Sequence, residues 1–477
     1  MIKNYQELAC TEDRKKILDI FIAGIKAADP AKIMKSEVRY NKKVNSLTVH
    51  NQHFNLFSGR IFVVGGGKAG GKMAEALEDI LGEKEIEAGI INDIEVSKEY
   101  GRMQLVIDYI QRFWNFLKCF VLGVNCDWRY KTRKIKIIRA GHPIPDNKGV
   151  RGVNMMMELK ERYKINKKDT VICLISGGAS ALMPLPVEKI SLSDKQKTTE
   201  ILLDSGADIK EVNTVRKHLS RVKGGQLAQH FYPARIISLI ISDVSDNDIS
   251  VIASGPTAMD TTTFKDVEII IEKYGLHDKL PKNVKEYLVR GAKSKEPDTP
   301  KVLKNINNFI IGDNGIILGK MAEIAKSLGL NPIIASFNQE GDTSWAAKER
   351  ADEVLNNKYS GYDIVIVGGE TTIKLPENHG LGGRNQHYAA ITMATMPENR
   401  KWAMLAASTD GSDFIPGVAG ALIDNESMSE TRKKDLDIDL YLHNYNTNRF
   451  FEKLKKSLIN MENTGTNVGD IVIYLLK

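Results

Sequence analysis

Residues 61–81 read IFVVGGGKAGGKMAEALEDIL. Four apolar residues, 61–64, run into Gly65, Gly66 and Gly67 and then Lys68, after which Met73, Leu77 and Leu81 return at helical spacing. A buried strand that turns through glycine into an amphipathic helix is the unit from which parallel sheets with helical crossovers are built. The same succession recurs at 170–175, 236–241, 308–311, 364–367 and 404–407. Parallel strands alternating with helices predict an α/β chain with a doubly wound, Rossmann-like sheet, whose ligands collect at the carboxyl ends of the strands.

A length of 477 residues implies two or three domains at roughly 150 residues each. The stretch EPDTPKVLKN at 296–305 follows a Lys-rich helical segment and precedes a new strand, which places a boundary near residue 300 and predicts domains 1–300 and 301–477. With 42% hydrophobic and 27% charged residues the composition is globular, which excludes the disordered and membrane classes. A net charge of +7 suits acidic small molecules as well as nucleic acid and decides little. The opening residues mix Lys, Glu and Asp without an apolar core, so no signal peptide and a cytoplasmic address are expected. Cys10, Cys119, Cys126 and Cys173 match no zinc or redox spacing and read as free thiols. The apolar run 105–124 is broken by Asp108, Gln111, Arg112, Asn115 and Lys118, which argues against a membrane span.

The first glycine turn leaves two readings open. Gly65, Gly67 and Gly70 satisfy G-x-G-x-x-G, and Asp93 at the end of the next strand completes a dinucleotide fingerprint. Gly66, Gly71 and Lys72 approach a phosphate loop, but Met73 stands where a magnesium-binding Ser or Thr is required. In both cases backbone N–H groups would meet an anion at a helix N-terminus, with Lys68 adding charge. The bland alternative is tight strand–helix packing with Lys68 solvated.

Further along, VICLISGGASAL offers Ser176, Gly177, Gly178 and Ser180 to a phosphate, or an ordinary N-cap. A helix over about 209–223 would bring Asn213, Arg216, Lys217, Ser220 and Lys223 to one side before Gly224 and Gly225, either as an anion-facing or as a merely solvated surface. Asp243 and Asp246 follow a strand, where carboxylates serve as magnesium ligands or general bases, or simply form turns. The C-terminal half adds Gly368, Gly369 and Glu370, then Arg384 and Asn385 after Gly382 and Gly383, then Ser408, Thr409, Asp410 and Asp413. An arginine behind glycines at a helix start is placed to fork onto phosphoryl or carboxylate oxygens, with solvation as the alternative. His142, His218, His379, His387 and His443 are scattered, and no nucleophile–base dyad stands out. Cations, carboxylates and anion-binding turns together fit phosphoryl transfer, in which positioning and charge neutralisation carry the catalysis.

The motifs VVGGGKAGGKMA, AGHPIPD, LISGGASALMPLP, NTVRKHLSRVKGGQLA, SDVSDNDISVIASGPT, GGETTIKL, GLGGRNQHYA, STDGSDF and TGTNVGDIVIYLL follow one another over nearly the whole chain. In that order they resemble the glycerate 2-kinases whose C-terminal half is the MOFRL domain. The resemblance implies a Rossmann-like domain, a smaller α/β domain, an active site in the cleft between them, ATP and Mg²⁺ or another divalent cation, and D-glycerate phosphorylated at the 2-hydroxyl. It makes Lys68 and Arg384 the catalytic cations. Gly66, Gly67, Ser176, Gly177, Gly178, Ser180, Arg216, Lys223, Gly224, Gly225 and Asn385 would line nucleotide and substrate. From their own positions Asp243 is assigned to hydroxyl activation, and Asp246 and Asp410 to the metal. Neither nucleic acid nor membrane is an expected partner, and a homodimer is compatible with the reading. The sequence departs from the pattern at 96–134, read as an insertion. Two other functions compete: an NAD(P)H-dependent hydroxypyruvate reductase, through the dinucleotide fingerprint, and a nucleotide-binding protein without turnover.

Overall fold

The structure is a computed structural model that describes residues 2–56, 59–95, 130–244, 246–465 and 468–477. Most of the expected insertion, residues 96–129, lies outside the described residues. The chain forms two compact units, Ile33–Ser242 with Asn247–Ile311, and Met1–Lys32 with Asp243–Asp246 and Gly312–Lys477. Thus the first 32 residues pack with the C-terminal part instead of opening the first domain, and the changeover falls at Gly312, not at 300.

In the first of these units a small antiparallel sheet of β1 (Val38–Asn41), β2 (Ser46–Val49) and β3 (Gln52–Asn55) precedes the main sheet. The main sheet holds β4 (Ile61–Gly66), β5 (Ile86–Ile94), β6 (Ile135–Ala140), β7 (Thr170–Ser176), β8 (Arg235–Ile241) and β9 (Ile306–Gly312). Its spatial order is β6-β5-β4-β7-β8-β9, and the pairs β5–β6, β4–β5, β4–β7 and β7–β8 are parallel. Counted from β4, this is the 3-2-1-4-5-6 order of dinucleotide-binding folds, with its switch point between β4 and β7. Every residue of β4 and β7 is buried, which is why both read as unbroken apolar runs.

Helix Ile209–His218 begins at a capping box formed by Asp208 and Glu211 and buries Val212 and Val215 beside Leu219 and Phe264. It stops sooner than the sequence periodicity predicts. The Arg221 amide donates to the Leu185 carbonyl and Ser220 bridges Pro186, so pairing with that segment replaces helical bonds before Lys223 is reached.

The other unit is built on β10 (Pro332–Gln339), β11 (Ile364–Gly369), β12 (Trp402–Ser408), β13 (Val418–Asp424), β14 (Leu458–Asn460) and β15 (Asp470–Leu476) in the order β10-β11-β15-β12-β13-β14. This second sheet is mixed. β10 and β11 are parallel, but β15 lies antiparallel between β11 and β12, and β13 pairs antiparallel with β12. Helix Glu12–Ala27 belongs to this unit; at Gly24 it approaches Met321 so closely that an added Cβ would lie 2.3 Å from Met321 Cε. Among the described residues no helix is long and apolar enough to cross a membrane.

Candidate functional site

At the switch point, the first glycine turn spends its amides on the sheet. Gly67 N–H donates to the Asn92 carbonyl at 3.1 Å, Lys68 N–H to the Gly177 carbonyl at 2.8 Å, and Ala69 N–H to Ser176 Oγ at 3.1 Å. Gly65 and Gly67 adopt φ of +137° and +143°, and an added Cβ would meet Leu174 O at 2.0 Å and Ser176 Oγ at 2.1 Å. These glycines therefore let β4 press against β7, and the anion nest expected at Gly66 and Gly67 is not open. Asp93 is equally committed: its buried side chain pairs with Arg139 at 2.5 Å, so the acid of the dinucleotide fingerprint does not face a ribose.

The second turn is different. Among the described residues nothing accepts from the amides of Gly177, Gly178, Ala179 or Ser180. Beside it, a Cβ built on Gly178 would lie 3.0 Å from His142 Nε2 and 3.2 Å from Lys68 Cγ, so both side chains flank this turn. Open amides with an adjacent lysine make an anion seat.

Just beyond, Ser180 Oγ accepts from Arg216 Nη2 at 2.7 Å and from Lys223 Nζ at 2.9 Å, and lies 2.8 Å from Ser254 Oγ. With two donors already on it, Ser180 gives its own hydrogen to Ser254, which in turn donates to Asn213 Oδ1 at 3.1 Å. Ala253 and Ser254 hold left-handed φ of +56° and +60°, a strained conformation for residues with a Cβ. Burial, then the Arg216 charge, pulls the Lys195 ammonium down to about 7. Burial, then Arg216 and Lys195, holds Lys223 well below the usual lysine range. Gly224 and Gly225 face away from this cluster's chemistry: their amides donate to the carbonyls of Ser254 and Gly255 and brace that loop. Lys217, on the same helix as Arg216, is neutralised by Asp260 at 3.2 Å and is structural.

In the C-terminal unit, Arg384 opens helix Arg384–Thr395. Its Nε and Nη2 both reach the Asp470 carboxylate, and Nη1 pairs with Glu370 Oε1 at 2.7 Å. Although burial opposes its charge, Asp470 and then Glu370 hold this guanidinium firmly protonated. Asp413 accepts from the backbone amides of Asn385 and Gln386 at 3.0 and 2.9 Å, so it caps the helix from outside it. Burial, and then the Asp470 charge, push its carboxyl up to about 6 in spite of those donors. Asn385 also turns its side-chain amide to Asp413, while Asp470, Thr371 and Tyr388 line an adjoining shallow pocket.

Residues 16–289 match the family described as a domain of unknown function (DUF4147), and residues 363–470 match the MOFRL family. The glycerate 2-kinase of Pyrococcus horikoshii is 35% identical, with 95% of each chain covered. The D-glycerate 2-kinase of Thermotoga maritima is 33% identical over 87% of this chain and 91% of its own. The chain belongs to the glycerate 2-kinase family. A crystal structure of a glycerate kinase from Thermotoga maritima superposes with a TM-score of 0.77 at 30% identity, covering 97% of this chain and 99% of that one.

Within this glycerate 2-kinase fold the structure gathers Lys68, Ser176, Gly177, Gly178, Ser180, Arg216 and Lys223 at one carboxyl edge of the Rossmann sheet. Asp243 and the exposed Asp246 follow β8 and pack with the C-terminal unit. Asp410 accepts from Ser408 Oγ at 3.0 Å and from the Ser412 amide at 2.9 Å, a turn-forming pattern. No group of three metal-type side chains exists among the described residues. Sequence reasoning missed Lys195 and Asp470. Only Asp470 had a local signal, an acid opening an apolar strand after TGTNVG.

Proposed function

We propose that this chain transfers the γ-phosphoryl group of ATP to the 2-hydroxyl of D-glycerate, giving 2-phosphoglycerate and ADP. The observation that carries the reading is the Gly177–Ser180 turn, whose amides donate to no acceptor among the described residues and whose flank carries Lys68, at the switch point of a Rossmann sheet. The curated relatives bearing the glycerate 2-kinase name support the same reaction. In it the glycerate 2-oxygen attacks the γ-phosphorus, the bond from that phosphorus to the β,γ-bridging oxygen breaks, and ADP carries away the electron pair.

Lys68 is assigned to the charge on the transferring group, and Asp243 to the proton of the attacking hydroxyl. Arg384 supplies positive charge in its own unit, held in one orientation by Asp470 and Glu370. A kinase magnesium ion takes one or two carboxylates and completes its shell with phosphate oxygens and water. Asp246 and Asp410 are carboxylates of the kind that sparse donor set calls for, and the ion would supply charge neutralisation there.

The reductase alternative meets a specific obstacle, because Asp93 and the amides of the first glycine turn are consumed internally. The deciding experiment couples product formation to enolase without a mutase, since only 2-phosphoglycerate is an enolase substrate. Signal is expected with D-glycerate and ATP, and Lys68→Ala is expected to lower it about 100-fold. Absence of signal together with NADH consumption on hydroxypyruvate would reverse the assignment.

A further inference from the structure

We propose that Lys195, Arg216 and Lys223 form the seat for the carboxylate of the hydroxy-acid substrate, an assignment that rests on the phosphotransferase reading above. Lys195 comes from helix Leu192–Asp204, Arg216 from helix Ile209–His218, and Lys223 from the turn behind it. Among the described residues the charges acting on Lys195 and Lys223 are cationic, Arg216 is shifted by burial alone, and all three cations lack a compensating carboxylate. Lys195 and Lys223 are 5% and 1% exposed, and the buried Lys195 Nζ finds no hydrogen-bond partner among the described residues. A buried ammonium with no counter-charge is unfavourable, so the resting protein carries a cost that a bound anion removes.

The hydroxyl network locates the unspent donors. Ser180, Ser254 and Asn213 satisfy one another in sequence, so no oxygen of that chain remains for Lys195. Among the described residues the Arg216 side chain makes one hydrogen bond, to Ser180, and keeps the rest of its planar fork. A fork of this shape matches a planar carboxylate.

Enclosure argues for the acid and not for the nucleotide. A chain of phosphates has the open amides of residues 177–180 and Lys68 to lie on. Lys195 and Lys223 are buried and Arg216 is half-buried, so the cluster suits a small anion. Ser180 links the two places: its hydroxyl accepts from Arg216 and Lys223 while its amide belongs to the turn, which sets a short acid beside the transferring phosphoryl group.

The test compares the full-length wild-type chain with Lys195→Met. The KM for D-glycerate is expected to rise about 30-fold or more, with the KM for ATP kept within about twofold. Melting without ligand separates this role from a structural one, because removing an unpaired buried charge should leave the melting temperature unchanged or raise it. D-Glycerate alone should stabilise the wild type and not the variant, while ATP alone should stabilise both. Should Lys195→Met fold poorly, Lys195→Gln carries the same expectations. An unchanged KM for D-glycerate overturns the proposal, and so does a rise confined to ATP, which would assign the trio to nucleotide phosphates. If the wild type phosphorylates no glycerate, the phosphotransferase reading falls. The melting shift with D-glycerate then still decides the seat, and a shift independent of Lys195 overturns it.

Discussion

Asp413 shows how one buried carboxyl can organise a helix start and leave a trace in the pH dependence of stability. Its folded pKa is about 6, above an unfolded value near about 3.9, so the native state binds the proton more tightly. That contribution is fully present below the unfolded pKa and is lost as pH rises through about 6. Asp413→Asn cannot ionise. Its urea midpoint should fall well below wild type at pH 4.5, and the gap should narrow by pH 7; a gap independent of pH would contradict the raised carboxyl. At this scale the sequence was only partly legible. STDGSDF marked Asp413 as an acid after a strand, but burial and the Asp470 neighbour, which set its chemistry, come from residues far along the chain.

Among the elements, β4 and its turn illustrate a motif read correctly as structure and incompletely as chemistry. The run 61–64 and the glycines that follow were legible because a strand buried on both faces leaves no polar alternation, and only glycine tolerates the approach to β7. What spacing could not reveal is that Ser176 Oγ and the Asn92 and Gly177 carbonyls would take the turn's amides. Gly67→Ala should therefore be a stability variant first. With φ at +143° and Ser176 Oγ at 2.1 Å from the added Cβ, the loss should be about 3 kcal/mol or more, seen as a lower denaturant midpoint. An alanine variant of wild-type stability would mean that the strands can part at little cost. The helix at 209–218 carries the opposite lesson, since its apolar stripe continues past the point where pairing with residues 185–187 ends it.

For the molecule as a whole, the N-terminal segment has the strongest claim on the fold of the distant C-terminal unit. Arg14 is buried and donates to Asp424 Oδ2 at 2.6 Å, to Ser427 Oγ at 2.8 Å and to the Lys456 carbonyl. Removing one partner of such a buried network typically costs about 3–5 kcal/mol. In Arg14→Ala, hydrogen exchange should accelerate first in β13 and β12, while β4 and β7 keep their protection. Uniform acceleration would indicate that the two units unfold together.

The sequence by itself determined the α/β class, the Rossmann strands, the glycine turns and the family resemblance, because period, turn chemistry and motif order are local properties that survive without coordinates. Tertiary structure alone decided that β15 runs antiparallel between β11 and β12, that the first helices join the C-terminal unit, and that Lys195, Arg216 and Lys223 feel one another's charge. Those outcomes depend on which distant surfaces bury one another and on which charges are thereby removed from water, and no window of the chain contains both partners.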